Sequence, residues 1–248
     1  MLRDREDALG HALYDYLMRK GGVEIIERDD GYFDVGGGPA AYFTEYEGWT
    51  DREKHAMQYI NGRVLDIGCG AGRHALYLQN KRVEVVGIDI SPLAVKVCKL
   101  RGVKDVRVMS ITQINEGLGK FDTILMMGNN FGLFGSYKRA RWLLKKFRKI
   151  TNEAAIIIAE TRNPYKTDVP EHLEYHELNR KRGRMAGQVR IRIRYKRYVT
   201  PWFDYLFVSK DELLQILEGT GWRLKHIIDP DNPIYIAVIQ KERLLGSG

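Results

Sequence analysis

The segment that most constrains this chain is a short apolar run followed at once by three closely spaced glycines. It reads Val64-Leu-Asp-Ile-Gly-Cys-Gly-Ala-Gly-Arg, and a helical pattern follows over residues 73–80. Glycines at 68, 70 and 72 permit a tight turn from strand to helix and let a ligand reach the backbone without meeting side chains. Open α/β sheets bind ligands at the carboxyl ends of their strands, where this turn lies. The segment therefore predicts a ligand-binding α/β domain.

Apolar runs that predict strands alternate with stretches that predict helices through the rest of the chain. Ser91 and Pro92 supply a helix cap and a first-turn proline, and the run from Ala154 to Ala159 is typical of a strand buried on both faces. This alternation predicts a parallel sheet built from right-handed crossovers. The predicted strands are residues 64–67, 83–88, 106–109, 121–127, 154–159, 222–228 and 234–240, and the predicted helices are 73–80, 91–101, 136–150 and 210–218.

Two segments lie outside this regular pattern. Residues 1–62 combine a predicted helix near 8–19 with a glycine-rich loop and four aromatic residues, which are more typical of core than of a cofactor cover: Tyr42, Phe43, Tyr46 and Trp49. Residues 161–208 are too long for an ordinary loop. Apolar and basic residues alternate over 189–196, which predicts an antiparallel strand paired with 205–208. We therefore predict a helical and aromatic cap (1–62) and an α/β domain (63–248) with a substrate-lid insert (161–208).

The spacing of the glycines argues against a dinucleotide as the ligand. The dinucleotide fingerprint G-x-G-x-x-G requires glycine at position 73, where this chain has Arg73. Asp66, just before the turn, would repel a pyrophosphate but would help to hold a positively charged ligand. Asp89, at the end of the next strand, is placed to accept hydrogen bonds from ribose hydroxyls.

With these acids in place, the segment resembles the class I S-adenosylmethionine-dependent methyltransferases over residues 63–160, and more weakly to 240. The resemblance implies an α/β, Rossmann-like sheet of seven strands with the last strand antiparallel, and here an antiparallel β insert after strand five. It also implies S-adenosyl-L-methionine as cofactor. Many members have Asp at the position that contacts adenine, where this chain has Ser110 or Ile111. The cofactor-binding positions that the resemblance implies are Asp66, Gly68, Cys69, Gly70, Asp89, Ile90, Ser110, Ile111, Gly128 and Asn129.

Methyl transfer from an activated sulfonium depends mainly on positioning, so the lack of an obvious catalytic dyad does not argue against an enzyme. The candidate catalytic residues are Asn129, Asn130, His172, His176 and Asp204. Gly128-Asn-Asn is also favourable turn chemistry. The two histidines lie four residues apart and would share a helix face, for which a solvated face is favoured over a metal site. We predict no metal.

The net charge of +8 is concentrated in one region. Residues 138–197 contain 18 basic and 6 acidic residues, and Arg180 to Arg197 contains nine basic residues and no acid. The sequence has no signature of an RNA-binding module and no Asn-Pro-Pro-Tyr loop. We therefore favour a methyltransferase that acts on a small acceptor, with an anionic acceptor accounting for the basic segment.

Three alternatives remain. An RNA methyltransferase would use the basic face 180–197 to follow a phosphate backbone. A non-catalytic regulator would bind S-adenosylmethionine without turnover. An aminopropyl transferase has a similar fold, but a basic insert argues against a polyamine substrate.

The composition predicts a cytoplasmic protein with no membrane partner. The chain has two cysteines, Cys69 and Cys98, which are too few for a disulfide framework. Its apolar runs are too short to cross a bilayer, and its charged N-terminus does not resemble a signal peptide. The sequence does not specify the acceptor atom or the oligomeric state.

Overall fold

The structure is a computed structural model that describes residues 2–242 of the chain. The helices are α1 (Ala8–Leu17), α2 (Asp51–Met57), α3 (Arg73–Asn80), α4 (Pro92–Leu100), α5 (Tyr137–Lys149), α6 (Pro170–Lys181) and α7 (Lys210–Leu217). The strands are β1 (Ile25–Arg28), β2 (Phe33–Val35), β3 (Val64–Ile67), β4 (Val85–Asp89), β5 (Val106–Val108), β6 (Phe121–Met126), β7 (Thr151–Arg162), β8 (Gln188–Tyr195), β9 (Tyr198–Val199), β10 (Phe203–Leu206), β11 (Trp222–Ile228) and β12 (Ile234–Lys241). No helix within residues 2–242 combines the length and the apolar character that a membrane crossing requires.

Seven of the strands formed by residues 2–242 make one sheet, in the order β11-β12-β7-β6-β3-β4-β5. β4 pairs with β5 and β6 pairs with β7 in parallel, whereas β12 is antiparallel to both β7 and β11. The predicted Rossmann-like sheet with an antiparallel last strand is therefore confirmed. The apolar run in β7 suits a strand paired on both sides, and Ile157, Ile158 and Ala159 are fully buried.

A second sheet, of five strands within the same described range, has the order β10-β8-β1-β2, with β9 paired to β8. β1 pairs antiparallel with both β2 and β8. β8 is the strand that the alternation over 189–196 predicted, and β10 overlaps its expected partner. The insert is not purely β, because it also contains α6. Segment 1–62 is likewise not only helical and aromatic, because it supplies β1 and β2.

The contacts divide the chain into two compact units. Within the described residues, the first unit contains 2–50, 65–114 and 189–204, and the second contains 51–64, 115–188 and 205–242. These units follow different boundaries from the cap and domain that the sequence suggested. The division at residue 62 and the lid role of 161–208 stay predictions.

In the first unit, α1 packs against α4, and one buried carboxylate serves both helices. Asp7 Oδ1 accepts a hydrogen bond from the Gly10 N–H at 3.1 Å, and Asp7 Oδ2 accepts from the Leu93 N–H at 3.0 Å. Each N–H belongs to the first turn of its helix, where no partner exists within the helix. A β-carbon at Gly10 would lie 2.3 Å from Ser91 Oγ, so glycine permits this close approach.

Replacing Asp7 with alanine removes the acceptor of both N–H groups. We expect the free energy of unfolding, measured by urea denaturation, to fall by about 1–3 kcal/mol. The control is Asp4→Ala, which removes a carboxylate that is 78% exposed and should change the value by no more than about 0.5 kcal/mol. Equal losses in the two variants would show that Asp7 does not join the helices.

Candidate functional site

The turn between β3 and α3 consists of glycines with left-handed backbone angles. Gly68, Gly70 and Gly72 have φ angles of +72°, +56° and +80°. Gly68 donates its N–H to the Ile88 carbonyl oxygen at 2.8 Å, which holds the turn beside the end of β4. A β-carbon at Gly72 would lie 2.8 Å from Val103 Cγ2. Glycine adopts these backbone angles without strain, and at position 72 the absence of a β-carbon also avoids a clash with Val103.

Asp89, the last residue of β4, is buried and joins two backbone segments through its carboxylate. Its Oδ2 accepts from the Gly70 N–H at 3.0 Å, and its Oδ1 accepts from the Ser91 N–H at 2.9 Å. Burial raises the pKa of Asp89 to about 6, although both hydrogen bonds act in the opposite direction. Each carboxylate oxygen has two lone pairs, so both oxygens can still accept from ligand hydroxyls. The ribose role of Asp89 stays a prediction that this geometry permits.

Asp66 lies within β3 and is 2% exposed. Its Oδ2 is buried and has no hydrogen-bond partner among residues 2–242. Burial, and then the charge of Asp89, raise the pKa of Asp66 to about 7, while Arg73 lowers it. A buried carboxylate without a donor is unfavourable. A ligand with an ammonium group would supply both the donor and the compensating charge, so these residues fit the cofactor that the sequence implies.

Tyr42 packs against the glycine turn. It lies in a 3-10 turn over Pro39–Phe43, and a β-carbon at Gly70 would lie 3.0 Å from its Cδ1. Trp49, from the same aromatic segment, is 4% exposed and has its ring 4.7 Å from that of His74. The core prediction is therefore confirmed for Trp49. Tyr42 also packs against a buried core cluster, as the core interpretation predicted, and a role as cofactor cover stays a prediction.

Both cysteines are buried free thiols, Cys69 within the turn and Cys98 on α4. Their sulfur atoms are 3.9 Å apart, and the Cys98 thiol donates to the Gly70 carbonyl oxygen at 3.1 Å. The hydrogen bond with Cys98, followed by burial, raises the pKa of Cys69. Cys69 is thus a protonated side chain that supports the turn and is not a nucleophile.

The remaining cofactor positions of the first unit follow β4 and β5. Ile90 is 43% exposed, whereas Ile111 is buried. Ser110 begins a short 3-10 turn, its N–H donates to Gln113 Oε1 at 2.9 Å, and its hydroxyl lies 3.0 Å from Thr112 Oγ1. Ser110 therefore has a structural role as a cap. Adenine contact by Ser110 or Ile111 stays a prediction.

In the second unit, Gly128 and Asn129 form the turn after β6, both with left-handed φ angles of +67° and +63°. The Asn129 N–H donates to Glu160 Oε1 at 3.0 Å, and the Tyr205 hydroxyl donates to the Asn129 carbonyl oxygen at 2.7 Å. The turn interpretation of this sequence is therefore correct. The buried side-chain oxygen of Asn129 has no hydrogen-bond partner within 2–242, so it is available to a ligand donor.

The two candidate histidines both lie on α6, as their spacing predicted. His172 Nδ1 is 3.1 Å from Thr167 Oγ1. His176 is 7% exposed, and its ring centroid lies 5.8 Å from that of Tyr165. The prediction of a solvated face is therefore wrong for His176, because the helix turns this residue inward. No three His, Cys, Asp or Glu side chains in the described part of the chain are grouped as metal ligands.

The last two candidates lie in different units. Asn130 begins the 3-10 turn Asn130–Phe134 in the second unit. Asp204 belongs to the first unit, where its Oδ1 is 3.8 Å from Arg190 Nη1. The ion pair gives Asp204 a structural explanation, and its catalytic role stays a prediction.

The other arginines of β8 also face an acid. Arg192 Nε lies 2.6 Å from Glu27 Oε2, and Arg194 binds the same oxygen. These hydrogen bonds hold the pKa of Glu27 at about 2, far below its usual range. The alternating pattern correctly predicted a strand, but its arginines pair with acids of the same sheet, Glu27 in β1 and Asp204 in β10.

Arginines of the basic helix α5 bind backbone oxygens. Arg141 Nη1 donates to the carbonyl oxygens of Ile216 and Glu218 at 3.1 and 2.6 Å, and Arg148 donates to that of Gly221. Carbonyls at the end of a helix lack partners within the helix, so the Arg141 guanidinium completes the end of α7. Arg148 instead holds the residue directly before β11.

The part of the chain that contains the glycine turn matches a known protein family. A family model described as a methyltransferase domain matches residues 64–153. The chain is also 37% identical, over 77 residues, to a ubiquinone biosynthesis O-methyltransferase from Xanthomonas oryzae pv. oryzae. That match covers 29% of this chain and 32% of the relative, so the chain spans about a third of the length of this curated relative.

Solved structures extend the similarity over nearly the whole chain. An S-adenosylmethionine-dependent methyltransferase from Bacteroides fragilis, in complex with S-adenosyl-L-homocysteine, superposes with a TM-score of 0.83. It is 26% identical, and the match covers 98% of both chains. Another such methyltransferase, from Methanosarcina mazei, has a TM-score of 0.59 at 16% identity, covers 76% of this chain and 97% of its own, and shows the shared fold alone.

Proposed function

Since this chain belongs to the class I S-adenosylmethionine-dependent methyltransferases, we propose that it transfers the methyl group of S-adenosylmethionine to a small-molecule acceptor. The proposal that the chain binds this cofactor rests on the pair of buried acids at the glycine turn. Asp66 has a buried oxygen that no donor among residues 2–242 contacts, and Asp89 holds the turn while keeping lone pairs available.

The cofactor, when bound, supplies a methyl group that its sulfonium already activates. The residues of the chain bind and orient it. Asp66 accepts from the ammonium of its amino-acid part, and Asp89 accepts from its ribose hydroxyls. The glycines let it approach the backbone, and Tyr42 shields this side of the turn from water. Rate enhancement then comes from positioning the reactants.

The paired charges of the basic segment support a small acceptor. Arg190, Arg192 and Arg194 each lie against an acid, so the strand presents few uncompensated charges to a phosphate backbone. The same pairing weakens the argument from β8 for an anionic acceptor, which stays a prediction. The curated relative is named for O-methylation in ubiquinone biosynthesis, which also favours a small acceptor.

For acceptor contacts we propose Asn129, whose side-chain oxygen is available, and as further candidates Asn130, His172 and His176. Asp204 is a weaker candidate because of its ion pair with Arg190. A cytoplasmic location is proposed from the sequence composition alone.

The acceptor class is tested by following a labelled methyl group. The purified protein is incubated with [methyl-³H]S-adenosylmethionine and, separately, with total RNA and with the small-molecule fraction of a cell extract. We expect label in the small-molecule fraction, and RNA binding that is weak and changes little with salt. Label in RNA would establish the RNA alternative. Binding of S-adenosylhomocysteine with no label in either fraction would instead favour the regulator.

The pKa of Asp66 predicts a pH-dependent affinity for the cofactor. An ammonium group binds the ionised carboxylate, whose pKa is about 7 without ligand, so binding below this pH requires loss of a proton. We expect the Kd of S-adenosylhomocysteine to rise about tenfold from pH 8 to pH 6. Methylthioadenosine keeps the ribose but lacks the amino-acid part, and it is expected to show a flatter profile. Asp66→Asn should weaken and flatten the profile of S-adenosylhomocysteine, whereas equal pH slopes for both ligands would exclude this role of Asp66.

A further inference from the structure

The turn after β6 is held by two side chains of the second unit. Glu160, near the end of β7, accepts from the Asn129 N–H at 3.0 Å. Tyr205, in β10, donates its hydroxyl to the Asn129 carbonyl oxygen at 2.7 Å, and the Gly132 N–H donates to the same oxygen at 2.9 Å. Both lone pairs of that oxygen are thus used, and both backbone polar groups of Asn129 are bound.

The ring of Tyr205 lies directly against this turn. A β-carbon at Gly132 would overlap Tyr205 Cε1, so glycine at this position leaves room for the ring. The chain beside Tyr205 is itself fixed, because the Phe207 N–H donates to the Gly187 carbonyl oxygen at 2.9 Å. The rings of Tyr205 and Phe207 also meet edge to face, with their centroids 5.5 Å apart. Tyr205 is therefore a firm support for the turn.

The backbone and the side chain of Asn129 both show why such support matters. Its φ angle of +63° lies in the left-handed region, which residues other than glycine seldom adopt and which persists where surrounding contacts impose it. Its buried side-chain oxygen has no hydrogen-bond partner within residues 2–242. A buried acceptor without a donor is unfavourable, and a ligand can supply the donor. The contacts of Glu160 and Tyr205 therefore fix where this oxygen lies.

We propose that Tyr205 is a positioning residue for methyl transfer, and that Glu160 assists it. Together they hold the Asn129 side-chain oxygen where it accepts a hydrogen bond from an O–H or N–H group of the methyl acceptor. The inference rests on the proposed function, in which Asn129 contacts the acceptor. Methyl transfer depends on alignment, and a displacement of about 1 Å in a reacting group can lower the rate about 100-fold. Through Tyr205, segment 161–208 then supports the acceptor site.

The test is a double-mutant cycle in the full-length protein. Tyr205→Phe removes the hydroxyl and keeps the ring, whereas Asn129→Gly removes the side chain and keeps a residue that adopts the left-handed turn. The acceptor probe is the small-molecule fraction of a cell extract, labelled from [methyl-³H]S-adenosylmethionine. A dilution series of this fraction gives the maximal rate and the half-saturating dilution for each variant.

Calorimetry with S-adenosylhomocysteine gives the cofactor affinity and the concentration of binding sites. Rates are divided by that concentration, so unfolded protein does not affect them. The control is Tyr137→Phe, which removes the hydroxyl of an exposed tyrosine that donates to the Gln215 carbonyl oxygen at 3.3 Å.

We expect Tyr205→Phe to lower the maximal rate about tenfold, with an affinity for S-adenosylhomocysteine within about threefold of the wild type. Asn129→Gly should lower the rate at least as much, and Tyr137→Phe should keep the wild-type rate. The double variant should be no slower than Asn129→Gly, because the Tyr205 hydroxyl then has no side chain to position. A purely structural role of Tyr205 would not give this dependence.

Glu160→Ala provides a second cycle that does not require Tyr205→Phe to fold. It removes the acceptor of the Asn129 N–H and leaves Tyr205 in place. We expect a similar loss of maximal rate, and no further loss when Glu160→Ala is added to Asn129→Gly.

Several results would overturn the inference while leaving the proposed function in place. The first is a wild-type rate in Tyr205→Phe or in Asn129→Gly, and the second is a pair of losses that multiply in the double variant. The third is an affinity for S-adenosylhomocysteine that falls as much as the rate, which would assign the turn to the cofactor. Absence of labelled small molecules with the wild type would contradict the proposed function itself, and the inference with it.

Discussion

The hydrogen bond between the Gly70 N–H and the Asp89 carboxylate is the contact on which the candidate site depends. It spans 3.0 Å and joins the glycine turn after β3 to the end of β4. The turn can make it because Gly70 adopts a positive φ that an L side chain rarely adopts. The other Asp89 oxygen accepts from Ser91, whose hydroxyl in turn caps α4. One carboxylate therefore orders the turn and the start of a helix.

This arrangement places negative charge where it is poorly solvated. Asp66 and Asp89 are both buried, and the pKa of each is raised mainly by burial. Two adjacent buried acids are unfavourable in the absence of a cation or of hydrogen-bond donors. A ligand with an ammonium group and vicinal hydroxyls compensates both. These residues therefore fit a cationic nucleoside such as S-adenosylmethionine, and their contacts with it stay predictions.

Local sequence patterns were sufficient for the sheet and the turn, but not for contacts distant in sequence. The bounds of β3, α3 and β11 agree with the predicted ranges, because strand, glycine turn and helix are encoded within a few residues. β1 and β2 were missed because they have only four and three residues. These two strands join a sheet because β1 pairs with β8. In that pairing, Glu27 of β1 binds Arg192 of β8, which lies 165 residues later in the chain.

The sequence likewise did not show which charges pair with each other or which side chains lie at the site. The excess of basic residues was visible in the sequence, but the acids that pair with Arg190, Arg192 and Arg194 were not. His176 looked like a surface residue because the helical period alone does not define which face packs inward. Tyr42 comes from an irregular segment, so its approach to the turn could not be predicted from the sequence.

The most direct test of the central claim is a calorimetric comparison of S-adenosylhomocysteine with its 2′,3′-dideoxy analogue. The wild type is predicted to prefer the ligand with both hydroxyls by about tenfold or more, because a charged acceptor pairs with them. Asp89→Ala should lose that preference while remaining folded, and Asp105→Ala, which removes a carboxylate 40% exposed, should keep it. A folded Asp89→Ala that retains both the affinity and the preference of the wild type would contradict the account.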